Sequence, residues 1–158
     1  MITIDEGEMR FTYRVTGIVL DGDRVLLQRG DREEFWFLPG GRGELLEPAR
    51  KTLKREMREE LGVEVRVERL LWVMENFYEH NEKSHHELDL YFLMSLPDGS
   101  PVCREDEFER DDEGVKLIFK WHPIAELESV GILPSFLRPG LKSIPPGTEH
   151  VVHSDLSE

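Results

Sequence analysis

Cysteine is almost absent: Cys103 is the only one in the chain. That excludes an intrachain disulfide and any zinc site built from several thiolates, and it suits a reducing compartment. Long apolar runs are missing too. Nothing approaches the roughly 20 residues that span a bilayer, and the opening MITIDEGEMRFTYRV has no basic segment leading into an apolar one. The expected setting is therefore cytoplasmic, without a membrane partner. Positive charge is in short supply: 20 Lys and Arg face 33 Asp and Glu, for a formal net charge of −13. Long nucleic acid needs clustered basic residues, so it is not an expected partner, whereas a short, metal-bound nucleotide is compatible. Internal repeats and low-complexity segments are also lacking.

What is present suits one folded domain. The chain has 158 residues, 39% apolar and 34% charged, enough for a single core and too few for two. We expect one domain over residues 1–145. The stretch SIPPGTEHVVHSDLSE carries few periodic apolar residues, so 146–158 is expected to be a loosely ordered tail.

Local patterns give the order of elements. Phe11 to Leu20 and Arg24 to Arg29 are β-rich and meet at LDGDR, where Asp-Gly suits a tight hairpin. FWFLPGG predicts a short strand ending at Pro39. Pro48 is placed for a first helical turn, Ala49, Leu53, Met57 and Leu61 recur every four residues, and Gly62 sits where the helix should stop. Val63, Val65 and Val67 alternate with charged residues and open a strand towards Tyr78. Leu88, Leu90, Phe92 and Met94 form a second alternating run after the polar loop EHNEKSHH. REDEFERDDEG reads as an acidic loop, VKLIFKW as a strand, PIAELESV as a short helix, and another short helix is expected near Pro134. Strands mixed with helices in this order indicate an α/β domain with a mixed, partly antiparallel sheet.

The helix poses a problem. Glu56 and Glu60 stack one turn apart with Glu59 beside them, on the face away from the apolar stripe. At about 6 Å and an effective dielectric near 20, each like-charged pair costs about 3 kcal/mol. Neighbouring Lys51, Lys54, Arg55 and Arg58 could neutralise the acids through pairs such as Arg55–Glu59. A bound hard cation, held by carboxylate oxygens, would do so as well.

Wider spacing favours the second answer. Gly41 is followed after five residues by Glu47, and after seven more by REMREELGV, from Arg55 to Val63. This resembles the signature of the Nudix hydrolases at every position, and seven fixed letters coincide by chance roughly once in ten million windows. Members often carry Gly where this chain has Leu46. The resemblance implies a Nudix-type α/β/α sandwich with a loop-helix-loop. It further implies that Glu56, Glu59 and Glu60, with Gly41, bind Mg²⁺, or Mn²⁺ in its place, and that Arg55 and Glu47 orient them. The substrate implied is a nucleoside diphosphate linked to a variable group, or a nucleoside triphosphate, cleaved by water at phosphorus. Gly40 would let backbone approach the phosphates, and Gly62 closes the motif.

Other assignments come from the residues themselves. The proton of the attacking water would go to Glu59 or to a glutamate of the later acidic segment, Glu105, Glu107, Glu109 or Glu113. Arg29, at a strand end, is a candidate phosphate clamp. Glu87, with His85 and His86, opens a strand expected to border the substrate pocket, although exposure is expected for the histidines. Trp36, Trp72, Phe77, Tyr78 and Trp121 are expected mostly in the core. A nucleotide-sensing module of the same fold is the alternative function, and a symmetric homodimer is the oligomer to expect.

Overall fold

The computed structural model describes residues 1–156. It contains nine strands: β1 (Thr3–Glu6), β2 (Met9–Asp21), β3 (Arg24–Gly30), β4 (Gly40–Arg42), β5 (Arg66–His80), β6 (Lys83–Ser95), β7 (Glu107–Asp112), β8 (Val115–Pro123) and β9 (Glu149–Ser154). Helices α1 (Ala49–Leu61) and α2 (Leu137–Gly140) complete the set with two 3₁₀ turns, Pro101–Cys103 and Ile124–Ser129. The strand order is β7-β8-β3-β2-β6-β5-β9, with β1 and β4 also paired to β2. β2 runs parallel to β6, and β5 parallel to β9, while the other pairings are antiparallel.

Both faces of this sheet are covered. Leu53, Met57 and Leu61 of α1 are buried with Val15, Val19, Phe92 and Met94 on one face. Ile18, Leu27, Trp72, Met74 and Tyr91 meet Leu127, Ile132 and Leu137 on the other. That is the α/β/α sandwich expected, and each fully buried aliphatic side chain contributes about 1.5–3 kcal/mol. Odd and even positions of β2 and β6 thus serve opposite faces, as the period of two requires. Among the described residues no helix is long and apolar enough to cross a membrane.

Strands β2 and β3 form the expected hairpin, but they pair only through Leu20↔Val25 and Asp21↔Arg24 before parting. Into the gap runs the segment after Gly30. The FWFLPGG strand is corrected here: Trp36 and Phe37 make only isolated bridges, to Ile132 and Gln28, and the paired segment is Gly40–Arg42, beyond Pro39. Pro39 has no amide hydrogen to give to a ladder, so regular pairing resumes after it.

Three further expectations change. The acidic stretch holds β7, whose alternation buries Phe108 against Phe119 while Glu107 and Glu109 stay exposed. The loop between β5 and β6 is only Asn81–Glu82, both at positive φ, and the histidines fall inside β6. Finally, the loosely ordered tail is corrected over 149–154: β9 pairs with Trp72–Phe77, and half-buried Val151 packs on the second core. Backbone pairing to β5 holds it without a periodic apolar stripe. Residues 157–158 lie outside the described part.

Candidate active site

Helix α1 begins after Pro48 without a side-chain cap and ends at Gly62, whose φ of 67° is the left-handed conformation that glycine adopts without strain. Just before it, Glu47 is gripped from three directions. Arg55 Nε donates to Glu47 Oε2 at 2.9 Å, Arg55 Nη2 to Oε1 at 3.0 Å, and the buried Thr52 hydroxyl to Oε1 at 2.6 Å. The Arg55 fork beside it holds the Glu47 carboxyl down to about 2. Arg55 Nη1 also donates to Glu56 Oε1 at 2.9 Å and to Glu59 Oε2 at 3.5 Å, while Nη2 reaches the Arg42 carbonyl at 3.4 Å. One guanidinium therefore fastens the loop acid, two helix acids and β4 together.

Not all three helix acids share the solvated face expected of them. Glu59 is half exposed, at 52% of its side chain, but Glu60 is only 6% exposed and Glu56 is largely covered. Glu60 flanks the apolar stripe because it lies three residues after Met57, and α1 lies close enough to the sheet to cover it. Its Oε2 is enclosed and has no hydrogen-bond partner. Burial first, and then the neighbouring Glu56 charge, push the Glu60 carboxyl up to about 8, with Asp112 adding to the effect and Arg14 opposing it. Burial also raises Glu56, against the pull of Arg55. Among the described residues, no three acidic or imidazole groups are gathered closely enough to cage an ion as they stand. The oxygen-only donor set and the orphaned Glu60 Oε2 nevertheless suit a hard divalent cation, which would offset the repulsion within α1.

The glycines next to the helix have separate tasks. A Cβ on Gly41 would lie 2.2 Å from Glu56 Cδ, so only glycine leaves room for that carboxylate. Gly40 was expected to admit phosphates. Instead it faces β2, where a Cβ would lie 2.3 Å from the Val15 carbonyl oxygen. Leu46, at φ 64° and fully exposed, occupies the left-handed turn that explains the preference for glycine at this position.

On the opposite face of the sheet, a cleft of about 860 Å³ opens where β2 and β3 diverge. Glu87 lines it as expected and accepts from the Tyr78 hydroxyl at 2.6 Å. Arg29 lines it too, but its Nη1 is spent on the carbonyls of Gly30, Asp31 and Glu33 and its guanidinium lies 5.1 Å over Trp36. That nitrogen braces the wall. The other arginines lining it are Arg14 and Arg42, opposite each other on β2 and β4. Arg14 Nε stands 4.0 Å from Asp89 Oδ2. Asp89 also accepts from the Thr16 hydroxyl at 2.8 Å, and burial pushes its carboxyl up to about 8.

Several residues here were not read from the sequence. Arg14, Thr16 and Asp89 form a polar stripe at every second position of β2 and β6, visible as alternation once the apolar partners are assigned. Asp112, at the end of β7, is the acid of the 105–113 segment that acts on Glu60; Glu105, Glu107, Glu109 and Glu113 are exposed. The expected exposure of the histidines is replaced by packing: His85 stacks on Tyr78 at 4.7 Å and His86 on Phe77 at 4.4 Å. Trp72 and Trp121 are buried, while Tyr78 lines the cleft.

Comparison with known proteins bears on the family and the fold. The model of the NUDIX domain matches residues 10–143. The chain belongs to the Nudix family. Enzymes of this family generally use divalent metal ions and act on small nucleotide-type substrates. Among relatives in Bacillus subtilis, "Putative ADP-ribose pyrophosphatase YjhB" is 34% identical over 87 residues, covering 54% of this chain and 41% of that protein. The chain thus spans about two fifths of the length of that relative. "Uncharacterized Nudix hydrolase YvcI" is 27% identical over 128 residues, covering 80% of this chain and 75% of that one. A Nudix hydrolase structure from Nitrosomonas europaea superimposes with a TM-score of 0.61 at 17% identity, over 91% of this chain and 79% of that one. A UDP-X diphosphatase gives 0.59 at 19% identity, over 89% of this chain and 66% of that one. At such identities the two structures speak for the Nudix fold alone.

Proposed function

We propose that this Nudix domain is a Mg²⁺-dependent pyrophosphohydrolase, with Mn²⁺ able to substitute, that cleaves a diphosphate linkage in a small nucleotide. The substrate is a nucleoside diphosphate-linked molecule, as the name of the YjhB relative suggests, or a nucleoside triphosphate. The observation that carries the reading is Glu60, an acid with an orphaned oxygen next to Glu56, where both acids feel the charge of Arg14, a residue that lines the nucleotide-sized cleft.

Glu56, Glu59 and Glu60 would hold the ion, with the Gly41 backbone against Glu56. When bound, such an ion polarises the phosphoryl oxygens and lowers the pKa of water. The remaining chemistry belongs to the chain. Arg55 fixes Glu56 and, through Glu47, the loop between β4 and α1. Arg14 and Arg42 offer guanidinium donors to the phosphates, and charge-assisted hydrogen bonds of this kind are roughly twice as strong as neutral ones. Glu59, exposed and held only by a 3.5 Å contact, takes the proton of the attacking water.

The test is a panel of nucleotides incubated with and without Mg²⁺. Release of phosphate, pyrophosphate or a nucleoside monophosphate is expected from at least one compound with metal present, and Glu59→Gln should lower that rate by orders of magnitude. Equal rates with a chelator added would refute metal dependence. Binding without cleavage throughout the panel would favour a nucleotide sensor.

A further inference from the structure

One acid beneath the cleft shares its cation with whatever binds there. Asp89, on β6, is 3% exposed. The Thr16 hydroxyl stands 2.8 Å from its Oδ1 and 3.1 Å from its Oδ2, and a hydroxyl has one proton to give. Arg14 Nε is 4.0 Å from Oδ2, beyond hydrogen-bond length, so this carboxyl lies near a positive charge without being locked to it. Its other polar neighbours are Glu87 and Tyr91 on its own strand, and Glu87 is engaged by the Tyr78 hydroxyl. Opposite Asp89 on β5 stands Met74, which is apolar.

Arg14 serves two sides. Its side chain keeps 27% of its surface in solvent and lines the cleft, while Asp89, Glu87 and Glu60 act on its charge. An anion that enters the cleft and meets Arg14 shares the guanidinium with Asp89, and two like charges on one cation repel unless one of them is neutralised. Asp89 can be neutralised by a proton: burial outweighs the pull of Arg14 and pushes its carboxyl up to about 8. In that form it still accepts from Thr16, and the charge of Arg14 is left to the ligand.

We propose that Asp89 is a positioning residue that acts through Arg14: protonated, it leaves the guanidinium to an anionic ligand, and ionised, it draws the guanidinium to itself. Anion binding and proton uptake are then one coupling, in which each strengthens the other by the same factor. This rests on the reading of Arg14 as a phosphate-binding residue of a nucleotide hydrolase. Asp89 itself touches neither phosphate nor metal, so its effect falls on affinity and on the pH at which affinity is lost.

The experiment titrates the full chain with ADP by calorimetry at pH 7, 8 and 9, in buffers of different ionisation enthalpy and with a chelator present so that no ligand is hydrolysed. With the Asp89 carboxyl at about 8, wild type should take up about half a proton per ADP at pH 8, and its affinity should fall about tenfold between pH 7 and 9. Asp89→Asn keeps the shape and an acceptor for Thr16. It should bind as tightly at pH 9 as at pH 7 and take up no proton. Glu60→Gln removes the other raised carboxyl that feels Arg14, and it should keep both the uptake and the pH dependence. A purely structural Asp89 would shift the affinity of Asp89→Asn equally at every pH. Equal proton uptake by wild type and Asp89→Asn, or a wild-type affinity that does not change with pH, would overturn the proposal. Proton-coupled ADP binding that Asp89→Asn abolishes, in a chain that hydrolyses nothing, would instead refute the enzymatic reading and leave this one standing.

Discussion

Replacing Gly41 with alanine separates the fold from the chemistry. The added Cβ would lie 2.2 Å from Cδ, 2.4 Å from Oε1 and 2.6 Å from Cγ of Glu56, so the carboxylate must retreat by about 1.3–1.8 Å to reach ordinary contact. No positive φ is involved, and the obstacle is the end of a flexible side chain. Unfolding free energy should therefore change by less than about 1 kcal/mol. The displaced Glu56 leaves its 2.9 Å bond to Arg55 and its place beside Glu60. A misplacement of about 1 Å in a catalytic assembly costs on the order of 100-fold in rate. The assay compares kcat for the preferred nucleotide with the urea midpoint of the same variant. Gly40→Ala is the control: its Cβ meets the Val15 carbonyl oxygen at 2.3 Å and the Thr16 Cα at 2.9 Å, backbone that cannot step aside. It should destabilise the fold by about 2 kcal/mol or more. A Gly41→Ala enzyme working within twofold of wild type would refute the claim that Glu56 must sit where the glycine lets it.

Arg55→Met should lower stability by about 1.5–3 kcal/mol, because it strands Glu47 and Glu56, and urea denaturation reads this directly. The variant should also change the acid limb. Glu47 is depressed from 4.5 to about 2, so its contribution is complete above about pH 4.5 and lost as pH falls towards 2. Without Arg55 that loss should vanish from the stability–pH curve. Asp89 shifts the other way, from 3.8 up to about 8, so the folded state holds an extra proton and stability declines as pH rises through that window. Asp89→Asn should flatten this decline, measured as Tm between pH 4 and 8. Leu46→Gly relieves a positive φ that costs about 1–2 kcal/mol, less the entropy glycine adds to the unfolded chain, for a net gain of about 0.5–1 kcal/mol in chemical denaturation.

Local signals in the sequence carried far. Helix α1 was legible to its ends, because a four-residue apolar repeat, a leading proline and a closing glycine all agree. The linkage of Glu47 and Arg55 followed from motif spacing, and the structure supplies its hydrogen bonds. Non-local decisions were hidden. β9 lacks apolar periodicity because it is held mainly by backbone bonds to β5, and nothing in its own residues names that partner. Glu60 looked solvated, since charge on a helix says nothing about how close the sheet comes. The bracing role of Arg29 was hidden as well, because three backbone carbonyls meet its Nη1 only once the chain turns after Gly30. Asn76 and Asp89 are polar residues within strands, and their burial depends on the far side of the sheet being roofed by residues 131–137.

The most direct measurement is a titration of Mn²⁺, followed by the loss of its free-ion paramagnetic resonance signal, in wild type and in Glu60→Gln. Saturable uptake by wild type, weakened at least tenfold in the variant while its Tm is maintained, is the predicted result. Identical uptake by both proteins, or none by wild type, would contradict the role assigned to the carboxylates of α1.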